Sequence, residues 1–356
     1  MTAAALYAAI TPHGYGHGAI TVAVLNALAK LRPTLRLAVV GGPPAEWMGQ
    51  RLHLPLALHD RHIDDPGMVN ADSNTVLAAD SLTVYRALFE RFEAAVAEEM
   101  ARQRSFRPDV VVSNIGFVPL EAARRLGIPA VALAPFHWGQ ILGAYCQAPD
   151  ILDRLQAIYA GAEAFLQTSP FVPMPDLGNT LPVGPICATA MPRRGEVRAA
   201  LGVANEAPVA LVAMGGFGGT LPVAEWPRFP GWTLITCGPD QAGPHPDMVR
   251  GDGLPFSFTE LVASVDVVIT KPGYGTVTEA ACAGTAILYR MRNDWPETPH
   301  MMGWAGAHVP VAEMTDAEYQ VGDFIDKLQA LLQVRGRCPA SPTGAAEAAA
   351  VLARYL

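Results

Sequence analysis

The sequence predicts an α/β protein made of two Rossmann-like domains, each a parallel sheet with helices on both faces. Three observations predict it. Strand and helix signals alternate through both halves of the 356 residues. A proline- and glycine-rich stretch, 169–192, interrupts that alternation and holds no convincing helix. In each half the opening strand runs into a glycine-rich turn, and parallel sheets of this kind bind ligands at the carboxyl ends of their strands.

The first half opens with a buried strand over 6–11, then a helix over 18–31 that Arg32-Pro33 stops. Strands follow at 35–40 and 54–58, and then a polar, irregular stretch, 60–74. A long helix is predicted over 81–104, because Val84, Leu88, Phe92, Ala95, Val96 and Met100 keep one-face spacing. A strand at 109–113, a helix at 119–126 and strands at 130–134 and 164–167 complete this half. The interdomain linker is read at 181–187. The second half repeats the alternation, with strands at 209–213, 233–237, 266–270 and 286–289. Its helices fall at 194–201, 258–263, 276–283 and 322–332, and a last helix covers 345–355. The expected domains are 1–180 and 181–342, with 343–356 as a helix packing back on the first domain.

Composition narrows the function. Half the residues are apolar and 16% are charged, enough for two cores and against long disorder. No apolar run reaches the ~20 residues of a membrane span, so no integral membrane segment is expected. The net charge of −8, with no basic stripe, argues against nucleic acid. Five scattered cysteines without a CxxC suggest reduced thiols, a cytoplasmic location and no metal site.

The most informative segment is 267–284, VVITKPGYGTVTEAACAG. A β-branched run reads as a buried strand and passes through Lys271, Gly273, Tyr274 and Gly275 into a helix beginning near Thr276. Free N–H groups and the positive dipole end of such a helix bind phosphate. Lys271 adds charge, and Glu279, expected in the first turn, suits ribose hydroxyls or merely favours the helix start. Gly215, Gly216, Phe217, Gly218, Gly219 and Thr220, directly after a buried strand, form a second candidate diphosphate cradle. Tyr289–His300 follows the next strand, and its Arg290, Asp294, Glu297 and His300 can hydrogen-bond a sugar; Glu297 and His300, three apart, should share a helix face.

In the first half, PHGYGHG lies between strand and helix, with His13 and His17 as alternative bases. The helix dipole disfavours a cationic His17, which leaves a neutral imidazole able to take a proton; a glycine turn with a capping histidine fits the same residues. The loop is no dinucleotide fingerprint, since the third glycine is missing and the second strand ends in Val40-Gly41-Gly42 without an acid. No Gly-Lys-Ser or Gly-Lys-Thr of a Walker loop occurs. Asn114, Phe136, His137 and Trp138 follow two strands of this half and suit a ring-bearing acceptor, or a core of aromatics.

On HGYGHG, SNIGFVPLEAARRLGIPAV, the FHW segment and KPGYGTVTEA followed by YRMRNDWPETPHM, the chain resembles GT-B glycosyltransferases. It is similar to the UDP-glycosyltransferases and the N-acetylglucosaminyl transferases of peptidoglycan synthesis, and closer to the N-terminal half of plant L-arabinokinase. The resemblance implies two Rossmann-like domains facing across a cleft. It implies an inverting hexosyl transfer without cofactor or metal, from a nucleotide sugar, UDP-linked, to a small-molecule or lipid-linked acceptor. It places His17 beside that acceptor, Glu279 on the ribose, and 215–220 with 273–276 on the diphosphate. The chain departs from the pattern at Lys271, where a histidine is usual, and lacks the Asp-Gln pair that holds the sugar, for which Asp294 and Glu297 are substitutes. No acid that would orient His17 is identified. A UDP-sugar 2-epimerase and a non-catalytic nucleotide-sugar module are the alternatives.

Overall fold

Strands form where aliphatic and β-branched residues run uninterrupted, because each strand of a parallel sheet is covered on both faces. The computed structural model describes residues 4–71, 75–215, 221–223, 225–237, 244–292, 294–334 and 338–356. They divide into two units, 1–186 with 343–356, and 187–342.

The first unit runs β1 (Ala5–Ile10), α1 (Tyr15–Leu31), β2 (Arg36–Gly41), α2 (Ala45–Gly49), β3 (Leu56–Asp60), α3 (Ala78–Glu90), α4 (Phe92–Phe106), β4 (Val110–Asn114) and α5 (Phe117–Leu126). It continues with β5 (Ala130–Ala134), α6 (Trp138–Tyr145), α7 (Pro149–Ala160), β6 (Ala164–Thr168) and β7 (Thr180–Val183). The seven strands among the described residues are parallel, in the order β3-β2-β1-β4-β5-β6-β7. The order reverses between β1 and β4, where Ile10 pairs with Asn114. In sheets of this kind ligands bind at such a reversal, outside the carboxyl ends of the two strands.

The second unit contains α8 (Arg194–Leu201), β8 (Val209–Ala213), β9 (Thr233–Thr236), β10 (Met248–Arg250), α9 (Phe258–Ser264), β11 (Val267–Thr270) and α10 (Tyr274–Ala283). Then come β12 (Ala286–Arg290), α11 (Glu297–His308), β13 (Val311–Met314), α12 (Asp316–Val321) and α13 (Ile325–Gln333). Its six strands among the described residues are parallel and ordered β10-β9-β8-β11-β12-β13, and the reversal falls between β8 and β11, where Ala213 pairs with Thr270. The last helix, α14 (Gly344–Leu352), belongs to the first unit, where Gly184 N donates to Glu347 Oε2 at 2.7 Å.

Three differences from the sequence reading have physical causes. The helix expected over 81–104 breaks at Arg91 (φ −106, ψ 17), whose guanidinium turns to the buried Asp64 carboxylate. Phe117 stacks on Phe89 at 5.7 Å and on Phe92 at 6.2 Å, and these two lie tilted 5.2 Å apart across the break, so the packing is continuous where the helix is not. Thr180–Val183, expected at the start of the linker, is the seventh strand of the first sheet. The helix at the phosphate motif begins at Tyr274, not Thr276, because Gly273 is extended (φ −150, ψ 129) and serves as its N-cap.

Candidate active site

In the first unit, β1 ends at Ile10 and the chain turns through His13 into α1, which carries His17 as its third residue. Asn114 ends β4, the partner of β1, and so faces that helix start. His17 Nδ1 lies 2.8 Å from Asn114 Oδ1. Asn114 Nδ2 donates to His17 O at 3.2 Å and to Thr21 Oγ1 at 3.1 Å, while the Thr21 hydroxyl donates to His17 O at 2.9 Å. These bonds fix the amide's orientation. Thr21 spends its proton on a carbonyl, so only an N–H can approach it from Asn114, and Oδ1 is left facing the imidazole. An amide oxygen only accepts, so Nδ1 must carry the proton and Nε2 keeps its lone pair. Burial pushes His17 down to about 4, opposed by its bond to Asn114 and assisted by repulsion from His13. It is therefore neutral at pH 7.

His17 lies edge-on to Phe136 at 6.1 Å and 6.4 Å from Trp138; His13 meets the Trp138 edge at 5.7 Å. His13 Nε2 lies 3.3 Å from Asp65 O. The turn that presents Asp65 needs a glycine two residues on: Gly67 has φ +55, and a Cβ there would stand 2.0 Å from His13 Nε2. Asp65 is buried, and burial pushes its carboxyl up despite the nearby His13. Phe136 and Trp138 thus join the two histidines. His137 does not: it packs on Tyr159 at 5.0 Å and lines a separate cavity of about 350 Å³ with Gln140, Asp153, Gln156 and Asp176. Burial lowers its pKa to about 4.

In the second unit, the loops after β8 and β11 meet. Gly215 has φ +83, and a Cβ there would stand 3.0 Å from Lys271 Cε and 3.6 Å from its Nζ. The Lys271 stem therefore runs along bare backbone, which only glycine permits at this φ. Gly273, without a side-chain cap, leaves the first N–H groups of α10 to other partners. Tyr274 is buried, and Gly275 and Thr276 follow in the first turn. Glu279 lies in the second turn, not the first, because the helix starts two residues early; it stands one turn beneath Gly275 on the same face. Burial raises its carboxyl to about 7.

No protein-family model matches the chain. L-arabinokinase of Arabidopsis thaliana is 25% identical over 333 residues, covering 92% of this chain but 32% of that protein. The chain thus spans about a third of the length of the curated relative it matches. CalG4, the calicheamicin glycosyltransferase, superposes with TM-score 0.62 at 16% identity, covering 100% of this chain and 99% of that one. UGT89C1 of Arabidopsis thaliana, complexed with UDP, superposes with TM-score 0.55 at 13% identity, covering 99% and 90%.

The chain has the GT-B fold. On this GT-B frame the remaining candidates separate. Gly216, Phe217, Gly218, Gly219 and Thr220 lie outside the described residues. Arg290 is held by Asp316, with Nη2 2.9 Å from Oδ2, and stacks over Tyr319 at 4.7 Å. Glu297 and His300 do not share an environment: Glu297 is buried and His300 exposed. Glu297, the first residue of α11, accepts from Trp295 Nε1 at 3.1 Å through Oε2, while its Oε1 has no hydrogen bond. The buried Thr298 Oγ1, next in sequence, and Arg292 Nε, five residues earlier, also lack hydrogen bonds, and Arg292 stacks on Trp295 at 4.3 Å, with Asp294 Oδ1 3.6 Å from its Nε. Burial raises Glu297 to about 7.

Sequence reading missed Thr21, Asp65, Arg292, Trp295 and Thr298. All but Thr21 lie in segments it singled out, and Thr21 carried the weaker signal of a hydroxyl one turn after His17. Among the described residues no helix is long and apolar enough to cross a membrane.

Proposed function

We propose that the protein is an inverting glycosyltransferase that takes a hexosyl group from a UDP-linked donor, held by the second unit, to a hydroxyl acceptor held by the first. The observation that carries this reading is the 2.8 Å bond from His17 Nδ1 to Asn114 Oδ1. It leaves one unprotonated ring nitrogen on a neutral imidazole, as a general base requires. Nε2 takes the acceptor's proton as that oxygen attacks the anomeric carbon. The bond from that carbon to the phosphate oxygen breaks, and the diphosphate leaves with the electron pair. Lys271 and the first amides of α10 stabilise the growing charge, the role a metal fills in other transferases. Glu279 takes ribose hydroxyls. Glu297, Thr298 and Arg292 offer unused hydrogen-bonding atoms for the sugar. The UDP named with UGT89C1 supports the choice of nucleotide. L-arabinokinase is named for phosphoryl transfer, not glycosyl transfer, which supports keeping a second reading, a nucleotide-sugar-binding unit without transfer.

A thermal-shift screen of UDP, TDP, GDP and ADP and their sugars tests the reading. UDP at one hundred times its Kd should stabilise the protein by about 2.7 kcal/mol. A protein that no nucleotide stabilises has no donor site of this kind. UDP binding without transfer to any of a broad acceptor panel favours the second reading, and a changed sugar from donor alone points to an epimerase.

The two raised carboxyls give a pH test. Each folded-state pKa is raised to about 7, so the free protein holds protons there that the unfolded chain has shed. These groups therefore lose stability for the free protein as pH rises from about 4.5 through 7. Sugar hydroxyls donate to the ionised forms, so affinity for UDP-glucose, which does not itself titrate in this range, should rise between pH 6 and 8, by about tenfold for each carboxylate engaged. Calorimetry on Glu279→Gln should show one such rise removed. A wild-type affinity that is flat over this range would detach both carboxylates from the donor.

A further inference from the structure

We propose that His62, Asp64 and Glu98 form a binding site for a divalent transition-metal ion of the zinc class, bracing the loop after β3 against α4. One ligand atom from each lies within 4.8 Å of the others. The His62 Nε2 to Asp64 Oδ2 distance is 3.9 Å. Asp64 is the fixed member: its side chain is 3% exposed, and Arg91 holds Oδ1. Its other oxygen, Oδ2, is buried without a hydrogen bond. That oxygen has no hydrogen bond and has the His62 ring nitrogen 3.9 Å away, so it can take one more donor or cation, and the two side chains beside it are both metal-ligating types. His62 and Glu98 are exposed and can turn.

Zinc bonds of 2.0–2.2 Å in a tetrahedron put ligand atoms about 3.4 Å apart. The histidine therefore needs to move by about 0.5 Å, and the glutamate by at most about 1.4 Å. One imidazole with two carboxylates suits zinc and disfavours calcium or magnesium, which take oxygen ligands. Arg91 stays on the far oxygen of Asp64 as an outer partner that orients the ligand. The total charge of Asp64, Glu98, Arg91 and a divalent ion is small and positive, so the cluster does not repel it. The braced loop is the one that places Asp65 and Gly67 under His13. The ion would therefore stiffen the floor beneath that histidine and takes no part in the transfer chemistry.

The test needs neither donor nor acceptor, so its result is independent of the transferase reading. Chelator-stripped protein is titrated with zinc chloride, and separately with magnesium and calcium chloride, by calorimetry at pH 7. One equivalent of zinc is expected to bind with micromolar affinity, weakened roughly 10–100-fold or more in His62→Ala and in Glu98→Gln. Both variants should melt at the wild-type temperature without metal, since both positions are exposed. Hydrogen exchange across 61–68 should slow with zinc in the wild type only. Absence of zinc binding overturns the proposal. So does zinc binding that both variants retain in full, which would place the ion elsewhere, or magnesium binding as tight as zinc.

Discussion

His17→Ala is expected to lower turnover by about 10²–10⁴-fold, the usual contribution of a positioned general base, with UDP affinity nearly unchanged. The affinity should hold because the residues proposed for the nucleotide belong to the second unit. The companion change, Asn114→Asp, separates the orienting role of Asn114 from its charge. An aspartate accepts from Nδ1–H as the amide oxygen does, but adds a negative charge that favours the imidazolium. The His17 pKa, now about 4, should rise, and the rise is readable by NMR without substrate. The aspartate loses the two donations from Nδ2, so part of the positioning is lost as well. The acid limb of the rate profile should follow the new pKa upward. A His17→Ala protein with wild-type turnover would remove His17 as the base. A His17 pKa unmoved in Asn114→Asp would show that the side chain at 114 does not contact the imidazole.

The architecture was legible where composition alone decides structure. Buried strands such as Val110–Asn114, which opens with three valines, and Val267–Thr270, wholly β-branched, have nothing local that competes with them. Elements that depend on a distant partner were not legible. Arg91 breaks a helix whose own periodicity continues through it, and only the buried Asp64, 27 positions earlier, explains the break. Thr180–Val183 is half exposed and carries a proline, as an edge strand can, so it looked like linker. The site divides in the same way. His17, Lys271 and Glu279 could be found because strand, glycine turn and helix follow one another in sequence. Asn114 was picked out as a residue that contacts the acceptor, whereas its amide holds His17. That assignment depends on β1 and β4 being neighbours, which spacing along the chain does not reveal. His137 illustrates the limit at its smallest scale. Phe136 and Trp138 turn to the histidines, while the residue between them turns to another cavity.

Lys271→Met carries the second large effect. The methionine keeps the unbranched stem that runs along Gly215 and removes only the ammonium group. Packing against the glycine should survive, and the protein should melt close to the wild-type temperature. The charge that grows on a departing diphosphate would then be met by backbone amides alone. Removing one such stabilising group costs about 10²–10³ in turnover in comparable sites, because its charge is in place before the reaction starts. UDP affinity should fall too, by less, because the bound diphosphate is already charged and part of the interaction is common to bound and transition states. Lys271→Arg should recover part of both losses, since it restores charge but places it in a wider, planar group. The pattern to look for is a loss in turnover larger than the loss in affinity. A methionine variant that binds UDP and turns over like the wild type would mean that Lys271 does not face the diphosphate. The cradle would then rest on the amides of α10 and the glycine loop alone.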